Sequence, residues 1–106
     1  MAFPYSVQWM IVQPTDTPQP PAQVMIVAPK RKFHHAVDRN RVRRLTRECY
    51  RLRKHTLYEF LQQHELQLVF SMVYIHHEIM PLEQLGHKMD KLLACLEKEI
   101  TKTLSS

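Results

Sequence analysis

The chain has 106 residues, 44% of them hydrophobic, and carries 15 Lys and Arg against 10 Asp and Glu for a formal net charge of +5. That length supports one modest core, so a single domain spanning residues 1–106 is expected. No apolar run approaches the roughly 18 residues a membrane span requires, and Met1-Ala2-Phe3-Pro4 lacks the basic and long apolar regions of a secretory signal, which favours a cytoplasmic location.

In chain order, Tyr5 to Val12 is rich in β-branched and aromatic residues and reads as a strand. It stops at a segment holding Pro14, Pro18, Pro20 and Pro21, which removes backbone donors and forces an extended loop. Gln23 to Ala28 is a second strand ended by Pro29, expected to pair antiparallel with the first across the proline loop. After the Lys30–His35 link, a long helix runs from Ala36 or Val37 to near Leu61. Leu66 to Ile75 is almost continuously apolar, the pattern of a strand buried on both faces. Pro81 then opens a last helix, whose apolar positions Leu82, Leu85, Met89, Leu92, Leu93, Leu96 and Ile100 keep helical spacing. The order strand, strand, helix, strand, helix implies an α+β fold, a small sheet with helices packed on it.

The positive charge is local. Residues 30 to 54 hold 11 of the 15 Lys and Arg with only Asp38 and Glu48 against them, a segment charge of +9, while the rest of the chain sums to −4. At about 100° per residue, Val42, Leu45, Cys49 and Leu52 fall on one stripe. Arg39, Asn40, Arg43, Arg44, Arg47, Arg51 and Lys54 then share the opposite arc. Guanidinium forks match phosphate oxygens two bonds at a time and stack on bases, so this wall points to nucleic acid. An anionic membrane is disfavoured because the apolar stripe is narrow and suits a core. The alternative is an ordinary solvated helix face.

Other chemistry has little support. There is no Gly-rich phosphate loop, and Asp16, Asp38 and Glu48 are too dispersed for a carboxylate cluster, so no catalytic residue is assigned. The pairs His34-His35 and His76-His77 lack helical i, i+4 spacing and neighbouring cysteines, and no protein-held metal is expected. Cys49 and Cys95 lie on separate helices without CxxC spacing, and no disulfide is assigned.

The stretch Lys30-Arg31-Lys32, Ala36-Val37, Arg39-Asn40-Arg41, Arg43-Arg44 and Arg47-Glu48, followed by Tyr50-Arg51, resembles the signature of the protein subunit of bacterial ribonuclease P. The later strand and the terminal amphipathic helix occur in the same order in that family, so the resemblance covers essentially the whole chain. It implies a protein that binds a catalytic RNA and, through a cleft between sheet and helix, the 5′ leader of precursor tRNA. The RNA does the cutting, with Mg²⁺ held mainly by RNA and water, and no obligate protein partner is evident. On this resemblance Arg39, Asn40 and Arg41 contact the catalytic RNA, although Arg41 projects towards the stripe's edge and could instead pack. Arg43, Arg44, Arg47 and Arg51 are the stronger phosphate contacts, and Lys30, Arg31 and Lys32 could clamp either RNA. Trp9 and Tyr50 are candidates for stacking a leader base, against the alternative that each is core. Family members usually begin with a further helix bearing two aromatic residues, so the fold expected is that of the family without this helix. They often carry Gly where this chain has His34, which leaves the backbone at that turn in question. The competing function is a general RNA-binding or ribosome-associated module using the same helix.

Overall fold

The computed structural model describes residues 3–12 and 20–105. Strands β1 (Tyr5–Val12) and β2 (Ala22–Val27) precede helix α1 (Ala36–Gln63), followed by strand β3 (Gln67–Tyr74) and helix α2 (Leu82–Ser105). The α+β architecture and the five expected elements are present, with boundaries displaced by one or two residues. The proline-rich loop expected after β1 lies largely outside the described residues.

The sheet order is β1-β3-β2. β1 pairs antiparallel with β3, in a register that sets Tyr5 opposite Tyr74 and Trp9 opposite Phe70. β2 pairs parallel with β3, with Ala22 opposite Leu68 and Val27 opposite Val73. The expected β1–β2 hairpin is therefore corrected: the two strands run in opposite directions but lie on either side of β3. β3, the most apolar segment, takes the centre, where both edges of its backbone are paired. A parallel neighbour requires a crossover, and α1 provides it between β2 and β3.

β3 is not buried on both faces, contrary to the continuous apolar pattern. Leu68, Phe70, Met72 and Tyr74 are buried, whereas Val69 and its neighbours Met10 (60% exposed) and Met25 (64% exposed) face outward. The helices cover one side of the sheet only. Strict alternation was hidden because Val69 and Val73 are apolar on the open side. On the covered side Tyr5, Phe70, Met72, Leu57, Leu61 and the α2 positions Leu85, Met89, Leu92, Leu96 and Ile100 form one fully buried core. At about 25 cal/mol per Å² of apolar surface removed from water, each large side chain contributes roughly 1.5–3 kcal/mol before ordering costs.

α1 ends in a chain reversal at Glu65, where Leu66 N donates to Leu61 O (2.9 Å) and Glu65 N to Gln62 O (3.2 Å). Glu65 adopts φ 54°, the left-handed conformation such a reversal demands. At the other end His35 caps the helix with extended backbone (φ −89°, ψ 133°) and no side-chain cap bond. His34, in the position where a glycine was anticipated, does not take positive φ.

Candidate nucleic-acid interface

The basic segment folds as α1 because its apolar and large aromatic positions recur every three or four residues, and the structure shows which of them win the core. Val42, Thr46, Cys49, Tyr50, Leu57 and Leu61 are the buried positions of the helix. Compared with the stripe Val42, Leu45, Cys49 and Leu52, the buried face is rotated by roughly 80°. Two interactions hold the rotation. The hydroxyls of Thr46 and Tyr5 share a buried 2.7 Å hydrogen bond, and the Tyr50 ring packs edge-on against Phe70 at 5.8 Å. Burial raises the phenol pKa values of both Tyr5 and Tyr50, so each stays neutral in the core.

That rotation reassigns several side chains. Leu52 is 54% exposed rather than on the buried stripe, and Leu45 is only partly buried against the core. Tyr50, placed on the basic arc by the sequence pattern, is 7% exposed and cannot stack a base without unfolding its surroundings. Arg39 lies on the core side of the helix, half-buried, and its Nη1 donates to the carbonyls of Phe33 (2.9 Å) and His34 (3.1 Å). It clasps the turn that launches α1 by its carbonyls. Arg41, read as a possible packing residue, is fully on the exposed side.

Arg53 is the functional-looking cation whose position carries the clearest structural role. Its Nε donates to Asp90 Oδ1 of α2 at 2.8 Å and its Nη1 to the Cys49 carbonyl at 3.3 Å. The guanidinium lies over Gly86: a Cβ there would meet Arg53 Nη2 at 2.5 Å. A glycine in mid-helix costs about 1 kcal/mol against alanine, and here it opens the notch that lets an arginine bridge the helices. The signal in the sequence was the lone glycine of the chain on the apolar side of the last helix.

What remains outside is the interface itself. Asn40, Arg41, Arg44, Arg47 and Arg51 are exposed along α1, with Arg43 half-buried at the margin, where its Nη1 donates to Asn40 Oδ1 at 3.2 Å. Lys54 is partly buried, its ammonium 5.4 Å from the centre of the Tyr58 ring. Arg51 is held by Glu48 in a two-point pair, Nη2–Oε1 2.7 Å and Nε–Oε2 3.2 Å. The Arg51 hydrogen bonds pull the Glu48 carboxyl below the usual carboxylate range. Arg41, Arg44 and Arg47 have no such competitor among the described residues, so an incoming phosphate need not displace one. Lys30, Arg31 and Lys32 are exposed in the turn between β2 and α1, beside the helix start. They extend the cationic surface around the end of the sheet.

Trp9 sits on the helix-facing side of edge strand β1, half-buried, and its indole Nε1 donates to Glu99 Oε2 at 3.1 Å. It packs against the core rather than standing on the open sheet face. Cys49 is buried and Cys95 exposed, and both are free thiols. Among the described residues no three His, Cys, Asp or Glu side chains gather where they could hold a metal ion, and no helix is long and apolar enough to cross a membrane.

Fold and surface together define an α+β domain that buries one side of a small sheet under two helices and turns a row of arginines outward from the first. Comparison with known proteins makes this more particular. The Ribonuclease P family matches residues 5–97, and the chain belongs to that family. Proteins named ribonuclease P protein component from two strains of Porphyromonas gingivalis are 33% identical over 72 residues, covering 68% of this chain and 53% of their own. A protein of the same name from Pseudoalteromonas translucida is 38% identical over 48 residues, covering 45% of this chain and 33% of its own. The chain thus spans about half the length of the Porphyromonas relatives it matches. No solved structure matches it significantly.

Proposed function

We propose that the chain acts as the protein subunit of ribonuclease P, binding the catalytic RNA and the 5′ leader of precursor tRNA to assist endonucleolytic removal of the leader. The observation that carries this reading is the row Arg41, Arg44 and Arg47, exposed and without a competing partner among the described residues, in a chain that belongs to the family. Each guanidinium offers a planar fork to a phosphate, and each contact releases condensed counterions from the RNA. Arg39 positions the turn that presents Lys30, Arg31 and Lys32, and Arg53 fixes α1 against α2, so the phosphate contacts project from a rigid helix. Arg43 and Arg51 join the contact set after exchanging Asn40 and Glu48 for phosphate.

The protein does no bond breaking in this account. Among the described residues no acidic side chains gather into a cage for Mg²⁺, which would be held by RNA phosphates and water and would supply the charge neutralisation and activated water of the cleavage. By fixing phosphates, the arginines raise the occupancy of such ions without ligating them. Trp9 would stack a leader base only on leaving both Glu99 and the core against which it packs.

Reconstitution tests the proposal. Protein combined with its cognate catalytic RNA should cleave precursor tRNA at the mature 5′ end at Mg²⁺ concentrations where RNA alone is slow, and protein freed of RNA should not cleave. Site-specific cleavage by RNA-free protein, or no gain on combining the two, would sink it. RNA that co-purifies with the protein should be one structured species of several hundred nucleotides; a heterogeneous or ribosomal population would favour the general RNA-binding alternative.

A further inference from the structure

The two histidine pairs and Phe3 are unused by the interface described above, yet the topology brings them to one of its ends. The β1–β3 register extends past Tyr5 and Tyr74, with Ile75 N donating to Pro4 O at 2.8 Å. This carries Phe3 to a place across from His76, and their ring centroids are 5.1 Å apart at an interplanar angle of 59°. His77 continues the group, 4.8 Å from His76 in an edge-on arrangement. β2 runs parallel to β3, so its exit into Lys30, Arg31 and Lys32 occurs at the same end of the sheet. Tyr74 ties the two together by touching both His76 (6.5 Å) and Phe33 (5.8 Å), the residue whose carbonyl Arg39 holds.

Phe3 is 51% exposed and the His77 side chain 75% exposed. Exposed rings at the same end of the sheet as a run of cations, near the start of a cationic helix, meet the physical requirements of single-stranded nucleic acid: a π surface for a base and positive charge for the phosphates on either side of it. We infer that the Phe3–His76–His77 edge is a base-stacking platform for an unpaired nucleotide whose flanking phosphates lie against Lys30, Arg31 and Lys32. The inference rests on the RNA-binding reading of α1 and adds to it a preference for unpaired over duplex RNA at this end of the molecule. The face of each ring must be free, so a base inside a duplex is not a substrate for the platform.

The test uses the full chain and a short single-stranded RNA carrying one 2-aminopurine, with the same sequence in a duplex as comparison. Fluorescence quenching should accompany binding of the single strand. Phe3→Ala should weaken that binding about tenfold, the typical worth of one stacked base, and abolish the quenching, while leaving the slope of log affinity against log salt unchanged. Phe3→Trp should restore both, and His77→Ala, at a position too exposed to affect folding, should weaken binding in the same sense. Arg44→Ala is the comparison variant, expected to lower affinity and flatten the salt slope. If Arg44→Ala weakens binding but Phe3→Ala and His77→Ala do not, the platform is refuted and the arginine interface stands. If none of the three matters, the RNA-binding reading falls with it.

Discussion

The seat of Arg53 over Gly86 makes a prediction with opposite outcomes in two backgrounds. Gly86→Ala in α2 gains helix propensity worth about 1 kcal/mol. In the parent protein the new methyl would stand 2.5 Å from Arg53 Nη2 and 3.1 Å from Cζ, so the guanidinium must swing away and give up Asp90 and the Cys49 carbonyl. The Arg53 and Asp90 side chains are 30% and 60% exposed, and solvent screening holds their pairing to about 1 kcal/mol. The two effects cancel, and Gly86→Ala should leave stability within about 0.5 kcal/mol of the parent. In an Arg53→Ala background nothing occupies the notch, and the same substitution should stabilise by about 1 kcal/mol, or about 4–8 °C in Tm. Urea titrations of the four proteins give the coupling as a double-mutant cycle. An equal gain from Gly86→Ala in both backgrounds would mean that Arg53 does not cover Gly86.

Glu97 has Oε1 buried without a partner among the described residues, and desolvation raises its carboxyl pKa. A raised native pKa favours the protonated form, so its stabilising effect is present at low pH and lost as pH rises through the native value. Glu97→Gln should therefore raise Tm at pH 7 and change little near pH 4, in melts across that range; an equal shift at both would refute the burial argument. Glu65 holds φ 54° at the end of α1, and Glu65→Gly should stabilise by up to about 1 kcal/mol in chemical denaturation, whereas a loss would show that the side chain supports the reversal. Glu48 competes with phosphate for Arg51, so Glu48→Gln should tighten RNA binding and steepen its salt dependence in filter-binding assays. An unchanged affinity would show that Arg51 never leaves its partner.

The elements were legible in the sequence because each has a periodic or compositional signal that neighbours reinforce: β-branched runs for β1 and β2, and leucines at helical spacing for α2. The strand order was not, because hairpin pairing is the local solution and β3 claims the centre only through contacts distant in sequence. The face of α1 was misplaced for a chemical reason. Counting Leu45 and Leu52 as core ignored that Thr46 can bury its hydroxyl against Tyr5, and that a Tyr ring covers more apolar area than a Leu. From that single rotation follow the burial of Tyr50, the inward turn of Arg39 and Arg53, and the exposure of Arg41. Arg44 and Arg47 were placed correctly because they lie far enough from either stripe to stay outside under both registers.

Helix α1 contains two kinds of arginine, and salt-dependent RNA binding separates them. Affinity for the cognate catalytic RNA should be measured over a range of monovalent salt for Arg44→Ala, Arg47→Ala and Arg53→Ala, alongside thermal stability. The first two should melt like the parent yet each flatten the slope of log affinity against log salt by roughly 0.7 to 0.9 units. Arg53→Ala should lower stability by about 1 kcal/mol while keeping the parental slope. Parental slopes for Arg44→Ala and Arg47→Ala, or a flattened slope for Arg53→Ala alone, would contradict it.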